Sequence, residues 1–156
     1  MMAAYRLGDS PSSWAHRAPV VLLALLGAGL ATYLALYQWR LTSAVWDPLF
    51  GSTNAERVLE SPLSRLLPVP DATLGALGYL VEAVLASVGG EDRWRTLPAL
   101  VLVYGAVLGA LALVSLGLVL TQVLLVHAFC SLCLCSAGIS CINAWLGRQE
   151  VFARRN

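Results

Sequence analysis

Charge is the scarcest property of this chain. Only 12% of its 156 residues are Asp, Glu, Lys or Arg, about half the share typical of a soluble domain. That scarcity argues against an ordinary water-soluble globule, and an apolar content of 58% excludes a disordered chain. Lysine is absent: the ten cations are all arginine, set against nine acids, for a net charge of +1. This balance offers no footprint for nucleic acid. No cysteine precedes Cys130, and all four lie between Cys130 and Cys141. Thiol chemistry, where there is any, therefore sits near the C-terminal end. No internal repeat or low-complexity tract is visible, and the length suits one domain.

Two stretches lack charge altogether, and they set the architecture. None occurs between Arg17 and Arg40, which leaves an apolar run over residues 18–39. A spanning helix needs about 20 such residues. A signal peptide is the weaker reading, because its apolar core runs only about 7–15 residues. None occurs from Thr96 to Gly147 either. As a single helix that stretch would reach roughly 78 Å, more than twice the hydrocarbon core. The chain must turn once inside it, and Thr121, Gln122 and His127 mark the place. The spacing predicts spans over about 97–120 and 128–146. A further span over 72–90 is interrupted only by Glu82. The expected fold is an all-α integral membrane protein, a single domain of four transmembrane helices.

Arginine placement orients it. Arg6 and Arg17, Arg93 and Arg95, and Arg148, Arg154 and Arg155 flank one side. The connection 40–71 has Arg40, Arg57 and Arg65 offset by Asp47, Glu56, Glu60 and Asp71. Both termini are expected in the cytoplasm of a bacterium, in its plasma membrane, with 40–71 and the 121–127 turn on the oxidising outer face. Tyr33, Tyr37, Trp39, Trp46, Trp94 and Trp145 fall at expected interfaces, where anchoring suffices. Gly and Ala in the first two spans read as helix contacts.

The outer connection is too apolar for a floppy loop. Thr53 and Glu56 read as a capping box, and Ser61-Pro62 as a second helix start. Val58, Leu59, Leu63, Leu66 and Leu67 supply an apolar face. The expectation is a short amphipathic helical cap over the outer mouth, with Pro68 and Pro70 forcing an extended entry into the second span.

Cys130 and Cys133 form a C-x-x-C, placed one turn apart on nearly the same helix face. Cys130 falls near the helix N-terminus, where the dipole and free N–H groups favour a thiolate. A lone cysteine is more often a small apolar packing residue; this pair, at a helix start on the oxidising side, reads as a redox dithiol. Cys135 points about 140° away and is assigned to packing. Cys141 returns to the same face but about 16 Å deeper, beyond the roughly 7 Å that a disulfide or a shared metal allows. No metal site is expected.

Cys130, Cys133, Ser136 and Ala137 at the start of the last span resemble the vitamin K epoxide reductase family. So do Val58, Leu59, Ser61 and Ser64 on the outer connection, and Pro70, Gly75 and Tyr79 opening the second span. The resemblance covers roughly residues 20–146. It implies a four-helix bundle holding a quinone (menaquinone or ubiquinone) at the outer face. Cys133 would face the quinone, Cys130 would exchange with an incoming thiol or disulfide, and Asp71 would contact a quinone carbonyl. Members usually carry a second cysteine pair on the outer loop, which relays electrons from a thioredoxin-like partner. Here the position three residues before Val58 is Ala55.

Other polar residues have two readings each. Glu82, about 16 Å along the helix from Asp71, could supply protons for quinone reduction. The plainer reading, placed ahead of that one, is a protonated carboxyl hydrogen-bonded between helices, or one that snorkels toward the cytoplasmic interface. His127 could stabilise a thiolate or pass a proton, or simply occupy a tight turn. Asp71 could do no more than cap a helix. The leading expectation is a membrane thiol–quinone oxidoreductase embedded in lipid and served by a thioredoxin-like protein on the outer face. The rival is a non-catalytic scaffold among other membrane subunits, and soft-metal transport is a remote third.

Overall fold

The computed structural model describes residues 10–153; Arg6, Arg154 and Arg155, used above for orientation, lie outside them. Every regular element among the described residues is helical. In chain order these are α1 (Trp14–Gln38), α2 (Ser52–Leu59), α3 (Asp71–Ser87), α4 (Arg93–Thr96), α5 (Pro98–Thr121) and α6 (Ser131–Ala153). α5 continues as a π-helical segment over Gln122–Val126. Two helical stretches, Trp14–Gln38 and Pro98–Val126, are long and apolar enough to cross a membrane. α1 packs on α3 and α6, and α5 packs on α6 and α3.

The distribution of polarity is inverted relative to a soluble protein. Leu22, Leu25 and Leu26 on α1 and Leu113, Val114 and Leu120 on α5 are exposed, while Arg17, Glu82, Arg93, Asn143 and Glu150 are buried. In water both placements would be costly; against hydrocarbon both are favoured. Close helix contact uses small residues. Ala24, Ala28 and Ala31 of α1 meet Ala76, Tyr79 and Ala83 of α3. A Cβ on Gly27 would come within 2.7 Å of the Tyr79 ring.

One end of the helices is tied by arginine. The last carbonyls of α3 lack helical partners. Arg17 Nε donates to Ala86 O at 2.7 Å and its Nη1 to Gly89 O at 2.9 Å. Arg93 Nη1 donates to Leu85 O at 2.6 Å and Val88 O at 2.7 Å. Both Arg93 Nε and Nη2 pair with the buried Glu150, the latter at 2.6 Å. Ser12 Oγ also donates to Glu150.

At the other end, residues 45–59 pack on the ends of α1 and α6. Here several local expectations are corrected. α2 begins at Ser52, not after Thr53, because Gly51 (φ +82°) serves as its N-cap without any side-chain cap bond; Thr53 is exposed in the first turn. Ser61-Pro62 opens turns, not a second helix: the Ser64 hydroxyl donates to Val58 O and Ser61 Oγ to Ser64 Oγ, closing the chain on itself. The reversal between α5 and α6 falls at 127–130, not 121–127. Thr121 satisfies its hydroxyl on Leu118 O within the helix, Gln122 turns inward, and the left-handed backbone of His127 (φ +51°) makes the break. α6 extends to Ala153, past the expected end near 146. Cys135 is exposed on its outer face, not packed inside.

Candidate functional site

Cys130 stands immediately before α6 and serves as its N-cap: its carbonyl accepts from Leu134 N at 3.0 Å. Its sulfur takes the position that a serine or aspartate oxygen usually fills. The amide of Cys133, in the first turn, donates to Cys130 Sγ at 3.3 Å. Both residues are free thiols. An amide donor and the positive end of a helix stabilise a thiolate, so the local fold activates Cys130 without a basic side chain.

Two residues that sequence reasoning used only for charge counting and for the turn hold this start. Asp47 Oδ2 accepts from Ser131 N and Oδ1 from Ser131 Oγ, both at 2.7 Å. Oδ1 also accepts from the amides of Leu49 and Phe50 at 3.0 and 2.9 Å. Burial alone would raise the Asp47 pKa; the hydrogen bonds from Phe50, Ser131 and Leu49 outweigh it and hold the carboxyl below the ordinary carboxylate range. Asp47-Pro48 is a turn signal in sequence, but the tie to Ser131 is not local. Gln122 Oε1 accepts from Cys130 N at 3.2 Å, and its isolation in an apolar run was the available signal.

Folded carboxylates with a depressed pKa stabilise above their unfolded pKa, and lose that contribution as pH falls through the folded value. Asp47→Ala is therefore expected to destabilise the start of α6 by about 1–3 kcal/mol and to speed alkylation of Cys130. Acidification through the Asp47 pKa should weaken the same tie in the parent protein but not in the variant. Unfolding melts and mass-spectrometric alkylation rates check both.

The two sulfurs have different surroundings. Cys130 is fully buried, in a cluster with Leu34, Tyr37, Val45, Ala55 and Val58. Ala55, the position of the missing loop cysteine, is itself 0% exposed. Cys133 instead lines a cavity of about 670 Å³ bounded by α1, α3, α5, α6 and the 58–67 segment. That volume suits a ring-sized apolar ligand. Leu34, Leu59, Leu111 and Leu118 are in its walls, and Asp71, Ser61, Ser64, Tyr79 and Gln122 bring polar atoms to it.

Asp71 is the first residue of α3, after Pro70. Its Oδ1 accepts from Ala72 N at 2.9 Å and Gln38 Nε2 at 2.6 Å, and its Oδ2 lies 3.2 Å from Ser64 Oγ, whose single proton serves either this oxygen or Val58 O. It is not the N-cap, which is Pro70 without a side-chain cap bond; it opens the first turn and faces the cavity. The Tyr79 hydroxyl donates to Ser136 O at 2.5 Å and lies 2.9 and 2.6 Å from the hydroxyls of Ser136 and Ser140. The structure therefore brings Cys130, Cys133 and Asp71 to one end. It does not bring His127 or Glu82 into the cavity wall. His127 is exposed on the α5–α6 turn. Glu82 does not snorkel: it is 0% exposed and accepts from Asn143 Nδ2 at 2.6 Å.

Residues 18–147 match the model of the Vitamin K epoxide reductase family. No curated protein matches the chain.

Proposed function

The chain belongs to the vitamin K epoxide reductase family, and from that premise we propose that it is a membrane thiol–quinone oxidoreductase working through Cys130 and Cys133. One observation carries this reading: Cys133 lines a large apolar cavity that also contains Asp71, while Cys130 waits behind it at a helix N-terminus. The quinone accepts two electrons and two protons, which the dithiol and its surroundings supply as the Cys130–Cys133 disulfide closes. The apolar walls hold the ring and exclude water. Ser64 and Gln38 fix the Asp71 carboxyl near one end of the cavity, where it orients a quinone carbonyl. The Cys133 amide favours the Cys130 thiolate, the species that attacks sulfur in disulfide formation.

The inverted polarity and the paired long helices support a four-span bundle in a bacterial plasma membrane. In this reading both termini are cytoplasmic, the arginine-tied end faces inward, and residues 40–71 form an outer cap. Menaquinone and ubiquinone both fit. In this reading His127, exposed on the turn three residues before Cys130, passes protons between the site and the outer aqueous phase. The electron partner at the outer face is a thioredoxin-like protein that reaches Cys130 directly, since no loop cysteine intervenes.

The burial of Cys130 beneath Ala55 and Val58 favours a second reading. In it, the bundle is a non-catalytic scaffold among other membrane subunits. Addition of quinone to the reduced protein, followed by alkylation-shift gels, separates the two. The oxidoreductase loses both thiols together to a disulfide. A protein that keeps both thiols alkylatable with either quinone is a scaffold.

A further inference from the structure

The cavity does not end the polar interior. Two hydrogen-bonded rungs connect α3 to α6, stacked one helical turn apart. The upper rung joins Tyr79 to Ser136 and Ser140, and Ser115 donates to Ser140 at 3.1 Å. The lower rung joins Glu82 to Asn143. Tyr79 and Glu82 are three residues apart on α3, as Ser140 and Asn143 are on α6, so each pair shares a face and is separated by about 4.5 Å along the axis. Tyr79, Ser115 and Ser136 reach the cavity wall. Glu82 does not, and its Oε2 and the Asn143 Oδ1 are both buried without a hydrogen-bond partner among the described residues.

Packing alone does not account for a carboxyl at this place. Breaking a helix core with an unpartnered carboxylate oxygen is costly, and the cost is least when the carboxyl carries its proton. We propose that Glu82 is a proton-relay residue, passing its proton through the Tyr79–Ser136–Ser140 hydroxyl cluster to the quinone reduced in the cavity. The inference rests on the quinone reading above.

The balance requires such a donor. When Cys130 reacts as a thiolate, the pair carries one proton, on Cys133, and two electrons. Closing the disulfide would leave a hydroquinone monoanion. The Glu82 carboxyl supplies the second proton: its O–H bond breaks, a quinol O–H forms, and Glu82 becomes a carboxylate. A hydroquinone anion is a stronger base than a carboxylate, so the transfer runs downhill. A proton taken up from the aqueous phase, equivalent to the one Cys130 released on ionising, restores Glu82 before the next turnover. No hydrogen bond joins the two rungs among the described residues, so the transfer requires the Glu82 carboxyl, whose Oε2 is unpartnered, to turn toward the Tyr79 hydroxyl, which both donates and accepts.

Glu82→Gln keeps the shape and an acceptor for Asn143 while removing the acid. In single-turnover oxidation of the reduced full-length protein by a short-chain menaquinone analogue, it is expected to slow disulfide formation about a hundredfold, the low edge of general acid effects. Quinone affinity, measured separately by fluorescence quenching, should be unchanged. Glu82→Asp should recover most of the rate, and a small weak acid such as formic acid should partly rescue Glu82→Gln. Tyr79→Phe should reproduce the slow phenotype and resist that rescue. Oxidation of Glu82→Gln at the parent rate overturns the relay. Should Glu82→Gln fail to fold, a Tyr79→Phe protein at the parent rate overturns it equally. Failure of the parent protein to react with quinone would instead sink the oxidoreductase reading itself.

Discussion

Cys133→Ala is expected to abolish quinone-driven oxidation, with a loss on the order of 10³-fold or more, as for removal of a residue that acts as one unit with its partner. Cys133 is the one cysteine in the wall of the 670 Å³ cavity. Cys135 is exposed on the opposite side of α6, and Cys141 lies outside that wall. Neither can stand in. Cys130 remains, but without Cys133 it has no partner with which to close a disulfide. Alanine removes little from the wall, so quinone affinity should survive, and the loss should appear in the single-turnover rate alone. Cys130→Ser should be inactive in turnover for the complementary reason, since Cys133 then has no resolving thiol. A Cys133→Ala protein that still converts quinone to quinol with thiol reductant would dismiss the dithiol as the electron source.

The largest stability effect is expected at the opposite end. Arg93→Ala leaves Glu150 buried without its cation, strips the Leu85 carbonyl of its arginine donor and leaves Val88 O only Arg17 Nη2 at 3.3 Å. Breaking a buried pair from one side costs about 3–5 kcal/mol. Glu150→Ala should cost a similar amount, because the guanidinium is then uncompensated, although Tyr104 still offers its ring at 5.1 Å. Replacing both residues with apolar ones of similar size should cost less than either single change. Thermal unfolding in a fixed detergent, followed by the fluorescence of the native tryptophans, measures all three. A single variant that melts with the parent protein would show that the pair is decorative.

How much of this was legible beforehand depends on the range of each interaction. The uncharged runs announced α1 and α5 because apolar length is a local property. The C-x-x-C at the start of α6 was readable for the same reason. The turn between α5 and α6 was misplaced because polar residues were taken as breakers. Thr121 found its acceptor three residues back and Gln122 found Cys130, so neither had to leave the helix. The role of Asp47 was invisible because its partner Ser131 is 84 positions away. Arg17 and Arg93 were counted only as flanking charges that orient the chain, and both are buried on carbonyls of the α3 end. The cavity draws on five separate stretches of chain, and no single stretch carries a pattern for it. Asp71 was located by resemblance, and its tie to Gln38 and Ser64 emerged only with the fold.

A sulfur sealed under Val45, Ala55 and Val58 cannot be refilled where it lies. In the proposed cycle, the couple discharges into the membrane side with its outer door shut, and recharges only after that door swings. In that cycle water-borne thiols and membrane-borne quinone would approach the pair from opposite sides, never together.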